Sequence, residues 1–534
     1  MPLARPLGIA SAVAFAVAAL APASALAGTW QPTRNPAPTP NIVDPSNGAV
    51  LGPGGASAPM LMTDGRVMFQ NSGFAGDGRI WTLTPDASGS YVDGTWGELA
   101  QMPYIEGGAA QAVLADGRVL IEGGEYSGLY ADFTLTNQGA VYDPVANSWQ
   151  MVAPPLFFTD ESPTRAVFAP HPIGDSASVI LPDGTFMLAD KMSHQAALLD
   201  PRTMTWREAG TATKFDMNDE EGLTLLPSGN VLTIDCYVDF LAGFTGTPYP
   251  SDPTNSEIFD PRTGTWSSAG STIHSLTDPV VAEMGPAILR PDGTVFAVGS
   301  PGTTAIYDTR TGRWAAGPQL PISPQGAQYT VQDGPGALLP NGHVLFAATG
   351  GAVDPTFGGY AGPPVGFFEF DGTELVAQPT IPNAANDVSG SIMLLPLPSG
   401  QILAADGTGD VEIFTPDDRS HRREWEPVLL FTPLVLQRGR TFEAWGIRFN
   451  GMSQASAFGD ELQNATNYPL VRITSLLTGH VSFARTHDHS SMAVASNDLV
   501  WTHYDVPRAA ETGLSKLEIV ANGIASEPFF VVVE

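Results

Sequence analysis

Cysteine occurs once in the 534 residues, at Cys236, so no intrachain disulfide can form and stability has to come from packing. That residue ends the strand-like run Val231-Leu232-Thr233-Ile234-Asp235-Cys236, where it reads as a small buried apolar side chain. Basic residues are scarce as well: 24 Lys and Arg stand against 55 Asp and Glu, and lysine appears at Lys191, Lys214 and Lys516 alone. The formal charge of -31 repels phosphate and anionic head groups, which argues against nucleic acid or a membrane surface as partner and for a cationic or neutral one. Charged residues reach only 15% while apolar ones reach 43%, the balance of a chain with a large core. Helical periodicity is nearly missing, and after the N-terminus no apolar run approaches the roughly 18 residues of a membrane helix. There is no Gly-x-Ser-x-Gly elbow, His-Glu-x-x-His pair, phosphate loop or dinucleotide fingerprint.

What is present begins with an address. Arg5, the uncharged run from Ile9 to Leu20 and the small-x-small triplet Ala25-Leu26-Ala27 have the form of a secretory signal. Residues 1–27 are therefore expected to be removed, and the remainder to reach a periplasm or the cell exterior.

Two signatures then repeat. Asp64-Gly65, Asp116-Gly117, Asp183-Gly184, Ser228-Gly229, Asp292-Gly293, Asn341-Gly342 and Ser399-Gly400 each sit between apolar, β-rich runs. Such dipeptides reach positive φ cheaply and predict seven tight hairpins joining inner strands. The second signature is an aromatic or aliphatic residue, an Asp-led turn and a Trp, as in Tyr142-Asp143-Pro144 with Trp149, Leu199-Asp200-Pro201 with Trp206, Phe259-Asp260-Pro261 with Trp266, and Tyr307-Asp308 with Trp314. A period of about 50 residues is that of kelch-type propeller blades. Trp96 anchors the first blade and Leu375 stands in for the sixth, while the seventh lacks an anchor of its own. Gly28-Thr29-Trp30 precedes every inner hairpin, so it is expected to supply the missing outer strand of blade seven and close the ring. The blade pattern stops near Pro427. Residues 428–534 carry alternating strands of the immunoglobulin-like sandwich kind, which sets the domains at 1–27, 28–427 and 428–534. The fold class is all-β: a seven-bladed propeller followed by a sandwich.

This order of parts resembles galactose oxidase and its kelch-type relatives, in which an early-set sandwich follows the propeller, and the resemblance spans nearly all the chain after residue 27. It implies a copper ion held by two tyrosines and two histidines, one tyrosine being crosslinked to cysteine, with one histidine sent from the sandwich into the propeller's central opening. Thr486-His487 resembles the motif of that histidine. Where the family carries Tyr-His, this chain reads Ser389-Gly390; the cysteine position falls on Glu220 or Glu221, and its partner tyrosine on Met284. The copper-radical site is therefore read as lost.

Residues that precede the inner hairpins line a propeller's mouth, and in six of the seven blades they include a carboxylate: Glu106, Asp175, Asp219 with Glu220 and Glu221, Glu283, Asp333 and Asp387. Acids around one axis repel, so they raise one another's pKa or recruit a cation. Hard oxygen donors suit Ca²⁺ or Mg²⁺, whereas His487 and His489, two apart on one strand, suit Zn²⁺ or Cu²⁺. The leading expectation is an exported binding module that recognises a glycan or other extracellular ligand at an acidic mouth. The alternative is a copper-dependent oxidase of primary alcohols or aldehydes around His487, and a purely adhesive role is also compatible.

Overall fold

The computed structural model describes residues 28–44, 47–71, 76–126, 135–159, 171–210, 213–236, 254–278, 283–353 and 359–534, so the signal segment lies outside the described residues. The described residues are all-β with almost no helix, and seven antiparallel sheets form the blades of a propeller. The hairpin glycines from Gly65 to Gly400 all adopt φ between 76° and 87°, the left-handed region that glycine reaches without a Cβ clash. Beside them Asp64, Asp116, Asp183, Asp292 and Asn341 each accept the backbone N–H two residues on, a local turn that sets the register of the inner strands.

The tryptophans join neighbouring blades. Trp149 Nε1 donates to Ala100 O at 2.8 Å and Trp206 Nε1 to Ala153 O at 2.7 Å, in each case just past the outer strand of the preceding blade. Ring closure repeats the device. Thr29–Pro32 pairs antiparallel with Val411–Thr415 as the outer strand of blade seven, Trp30 Nε1 reaches Pro379 O at 2.7 Å, and Trp96 Nε1 reaches Asn35 O at 2.9 Å. Trp30 also packs 5.0 Å from both Phe367 and Phe414, so one indole ties blade seven to blade six. Trp30→Ala is expected to lower stability by roughly 2 kcal/mol, a half-buried share of the usual indole loss, read as an earlier unfolding midpoint in urea.

Nine further strands, from Val428–Phe431 to Phe529–Val533, form a sheet system with its own core around Leu436, Val471, Ile473, Tyr504, Leu517 and Val531. It docks on the hairpin end of the propeller: Thr486 N donates to Thr63 O (3.2 Å), His489 N to Ala115 O (2.9 Å) and Met492 N to Pro182 O (2.9 Å). The segment between Thr441–Ile447 and Leu470–Ser475 leaves this sheet and runs up the propeller axis. There Ser456–Ala457 adds a fifth strand to blade six beside Gly336–Leu338, Gln454 accepts from Leu225 N at 2.6 Å, and Leu462 N donates to Ala109 O at 2.9 Å. Its tip, Gly459-Asp460-Glu461, emerges among the residues that lead into the inner strands. A Cβ on Gly459 would collide with the Asp333 carboxylate, so any other residue where the tip passes blade six would have to displace that acid.

Candidate cation site at the propeller mouth

The loops that enter the inner strands of blades three to six bring Asp175, Glu220, Glu283 and Asp333 to the axis, and the central segment adds Asp460 and Glu461. They interlock as three groups, Asp175 with Glu220 and Asp460, Glu220 with Glu283 and Asp333, and Asp333 with Asp460 and Glu461; within each group the ligand atoms lie within 4.8 Å of one another. Lys191 sets one ammonium against these acids, 2.6 Å from Asp175 Oδ2, 2.9 Å from Asp219 Oδ1 and 2.8 Å from Glu220 Oε1. Tyr360 covers one side and donates its phenol to Glu283 Oε1 at 2.6 Å.

Two of the acids sit on strained backbone, Glu220 at φ 60° and Asp333 at φ 48°, a conformation that costs on the order of 1–3 kcal/mol per residue and persists only where packing over-determines it. In blade four Asn218 holds that turn by donating to Ser193 O and Gln195 O, both at 2.8 Å. The turn sends adjacent carboxylates in opposite directions. Glu220 faces the axis, while Glu221 faces back into the blade, where Lys214 Nζ lies 3.0 Å from it, 2.8 Å from Asp216 and 2.9 Å from Glu257.

Burial dominates the electrostatics. It pushes the carboxyls of Asp175, Glu283, Asp333 and Asp460 well above the usual carboxylate range, with neighbouring acids adding to the effect. Glu461 is pushed up to about 8 by burial, and Asp219 to about 7 by burial against the opposing pull of Lys191. Lys191 itself, although burial works against its charge, is held above the usual ammonium value by Asp175, Asp219 and Glu220. Among the described residues, four buried oxygens, Asp175 Oδ1, Glu283 Oε2, Asp460 Oδ2 and Glu461 Oε2, find no hydrogen-bond donor. A buried carboxylate oxygen without a donor costs free energy that a coordinated cation would remove.

Other expected site residues lie elsewhere. Glu106 is buried beside Gln70 and is pushed up to about 8 by that burial against the opposing pull of the Gln70 side chain, but it joins none of the three groups. Asp387 faces Asn383 in blade seven and is pushed up to about 7 by burial and then by Asp406 and Asp410. The largest correction concerns the histidines. His487 is not in the central opening: it ends a strand docked on the hairpin turns, the far end of the inner strands from the acids, and Asp460-Glu461 occupies the opening instead. Nor do His487 and His489 share a face, because Asp488 between them has φ 52° and reverses the alternation. His489 is buried against Tyr468 and bonded to Thr502 Oγ1 at 2.8 Å, and burial, then His487, depress its imidazole to about 3.

The donors of the mouth groups are carboxylate oxygens with one phenol alongside; among the described residues no imidazole joins them. Ser389 is buried and bonded to Thr349, and Met284 is packed in the core of blades three to five. This donor set does not fit a copper ion held by two tyrosines and two histidines. It fits a hard cation such as Ca²⁺.

No family model matches the chain. Kelch-like protein terF of Aspergillus terreus is 24% identical over 284 residues, which make up 50% of this chain and 56% of that protein. The chain thus spans about half the length of the curated relative it matches. Among solved structures, a fungal alcohol oxidase of the AA5 family in complex with copper superposes with a TM-score of 0.48 at 12% identity, covering 95% of this chain and all of that one. A streptogramin B lyase superposes with a TM-score of 0.44 at 12% identity, covering 73% of this chain and 98% of that one.

Proposed function

We propose that this chain is an exported binding module whose propeller mouth captures a divalent cation of the calcium class, and that the cation leaves coordination positions open to the hydroxyls of a neutral ligand such as a glycan. The observation that carries this reading is the set of unpartnered, buried oxygens on Asp175, Glu283, Asp460 and Glu461, drawn from three separate parts of the chain into one site. In this reading the C-terminal strands are an immunoglobulin-like sandwich of the early-set kind, which braces the hairpin end and lends its central segment to the mouth. Residues 1–27 serve as the export signal. The alternative, a copper-dependent oxidase with a rearranged site around His487, would put its metal at the hairpin end of the propeller and not at this mouth.

Chelator-treated protein is expected to bind Ca²⁺ saturably in calorimetry. Asp460→Asn together with Glu461→Gln should weaken that binding about tenfold or more, the loss of at least 1.4 kcal/mol of coordination. A glycan array probed with and without Ca²⁺ then tests the ligand class. Absence of Ca²⁺ binding, or binding unchanged in the double variant, overturns the proposal.

A further inference from the structure

We infer that the C-terminal sheet carries a second, chemically distinct metal site, for a borderline ion of the Zn²⁺, Cu²⁺ or Ni²⁺ kind, built from His487, Asp488 and His503. The strands Val481–His487 and Val500–Asp505 pair antiparallel with His487 directly opposite His503. Directly paired residues project from the same face, and the two imidazoles stack with centroids 5.5 Å apart. Asp488 then turns back at φ 52° and brings its carboxylate between the rings, with Oδ2 lying 2.7 Å from His487 Nδ1 and 3.5 Å from His503 Nδ1. A tetrahedral ion with bonds of about 2.0–2.1 Å holds its ligand atoms roughly 3.3 Å apart, so the 3.5 Å pair already stands near that spacing, and the 2.7 Å pair, now a hydrogen bond, would open by roughly 0.6 Å.

Three further observations point to an ion. Among the described residues His503 Nδ1 has no hydrogen-bond partner. The outer nitrogen of His487 lies 3.4 Å from Asp505 Oδ1, the arrangement by which a second carboxylate orients a metal-bound imidazole, while His503 Nε2 faces Glu443 Oε1 at 3.9 Å, beyond a hydrogen bond. Local charge also favours a dication: Asp488, Asp505 and Glu443 surround the rings, against Arg485, which is paired to Asp505 at 2.8 Å. Asp488 is 53% exposed, which leaves a fourth position open to water or an exchangeable ligand. Imidazole nitrogens separate this site from the all-oxygen mouth, since they select Zn²⁺, Cu²⁺ and Ni²⁺ over Ca²⁺.

The test is a titration of chelator-treated protein with Zn²⁺ by calorimetry in excess Ca²⁺, and with Cu²⁺ by tryptophan fluorescence. The Trp501 ring lies 5.1 Å from His503, so bound Cu²⁺ should quench it, and Trp501→Phe should remove much of the quenching while leaving the Zn²⁺ heat. His503→Asn and the exposed change Asp488→Asn are each expected to weaken Zn²⁺ binding by about tenfold to a hundredfold. His480→Ala, whose ring pairs with Glu511 elsewhere on the surface, should leave it unchanged. Folded protein that binds no Zn²⁺ saturably, or Asp488→Asn and His503→Asn that bind it as tightly as the parent, overturns the site.

Discussion

Lys214→Met is expected to abolish stable folding or to lower stability by about 3–5 kcal/mol, the cost of breaking a buried ion cluster on one side. Lys214 has no exposed side-chain surface, and its ammonium lies 3.0 Å or less from Asp216, Glu221 and Glu257. Asp235 adds a fourth acid close enough to pull the ammonium upward, and the Trp266 ring lies 5.4 Å from Nζ. Methionine fills similar volume but leaves these carboxyls together in an apolar blade with no cation. Domains of ordinary stability hold about 5–15 kcal/mol, so the loss takes a large share of the total. Lys214→Met combined with Glu221→Gln and Glu257→Gln should recover part of it by removing two of the stranded charges. Lys516→Met, at a partly exposed ammonium whose partner Glu518 is also held by Arg472 at 3.0 Å, should change stability by less than about 1 kcal/mol. Soluble yield and urea midpoints check the series; a Lys214→Met protein as stable as Lys516→Met would mean that the blade-four acids are not held by this ammonium.

The second large effect concerns pH. In chelator, the protein is expected to melt at higher temperature at pH 5.5 than at pH 8, by on the order of 5–10 °C, the reverse of a protein stabilised by exposed ion pairs. Glu106, Glu412 and Glu461 are pushed up to about 8, and Asp219 and Asp387 to about 7, in each case chiefly by burial. Their ordinary values are 4.5 for Glu and 3.8 for Asp. Between those limits the folded chain keeps protons that the unfolded chain has released. Stability contributed by these groups is therefore present at low pH and lost as pH rises through about 7 to 8. His489 works the other way: its folded value of about 3 lies below the ordinary 6.5, so its contribution is lost as pH falls. At pH 5.5 it costs about 1.4 kcal/mol, one pH unit below its unfolded value, which five carboxyls outweigh. Ca²⁺ favours the ionised mouth, so it should raise the melting temperature more at pH 8 than at pH 5.5. Scanning calorimetry decides the matter: a melting temperature that climbs from pH 5.5 to pH 8 in chelator rules out an acid cluster kept protonated by burial.

The mouth was partly legible before any coordinates. Asp175, Glu220, Glu283 and Asp333 stand where the blade repeat places mouth residues, because the hairpin glycines count positions along each inner strand. Direction within a turn was not legible: Glu220 and Glu221 are neighbours, and only the strained backbone at Glu220 decides which one meets the axis. Asp460 and Glu461 were missed because they come from a segment far along the chain. A signal was available, since Arg448 to Pro469 shows no sustained strand alternation, and a structureless stretch of that length inside a compact domain usually carries function. The Thr486-His487 resemblance implied a histidine in the opening, whereas the structure brings Asp460 and Glu461 there.

By itself the sequence determined the seven hairpins, the tryptophan spacing and the strand that closes the ring, because each depends on local turn chemistry or on one side chain per repeat. Tertiary structure alone decided which acids meet, that two of the three lysines lie buried among carboxylates, and that His503 rather than His489 stands beside His487. The physical reason is range: turn preferences are settled within about four residues, whereas the free energy of a buried charge depends on every group that the fold brings around it.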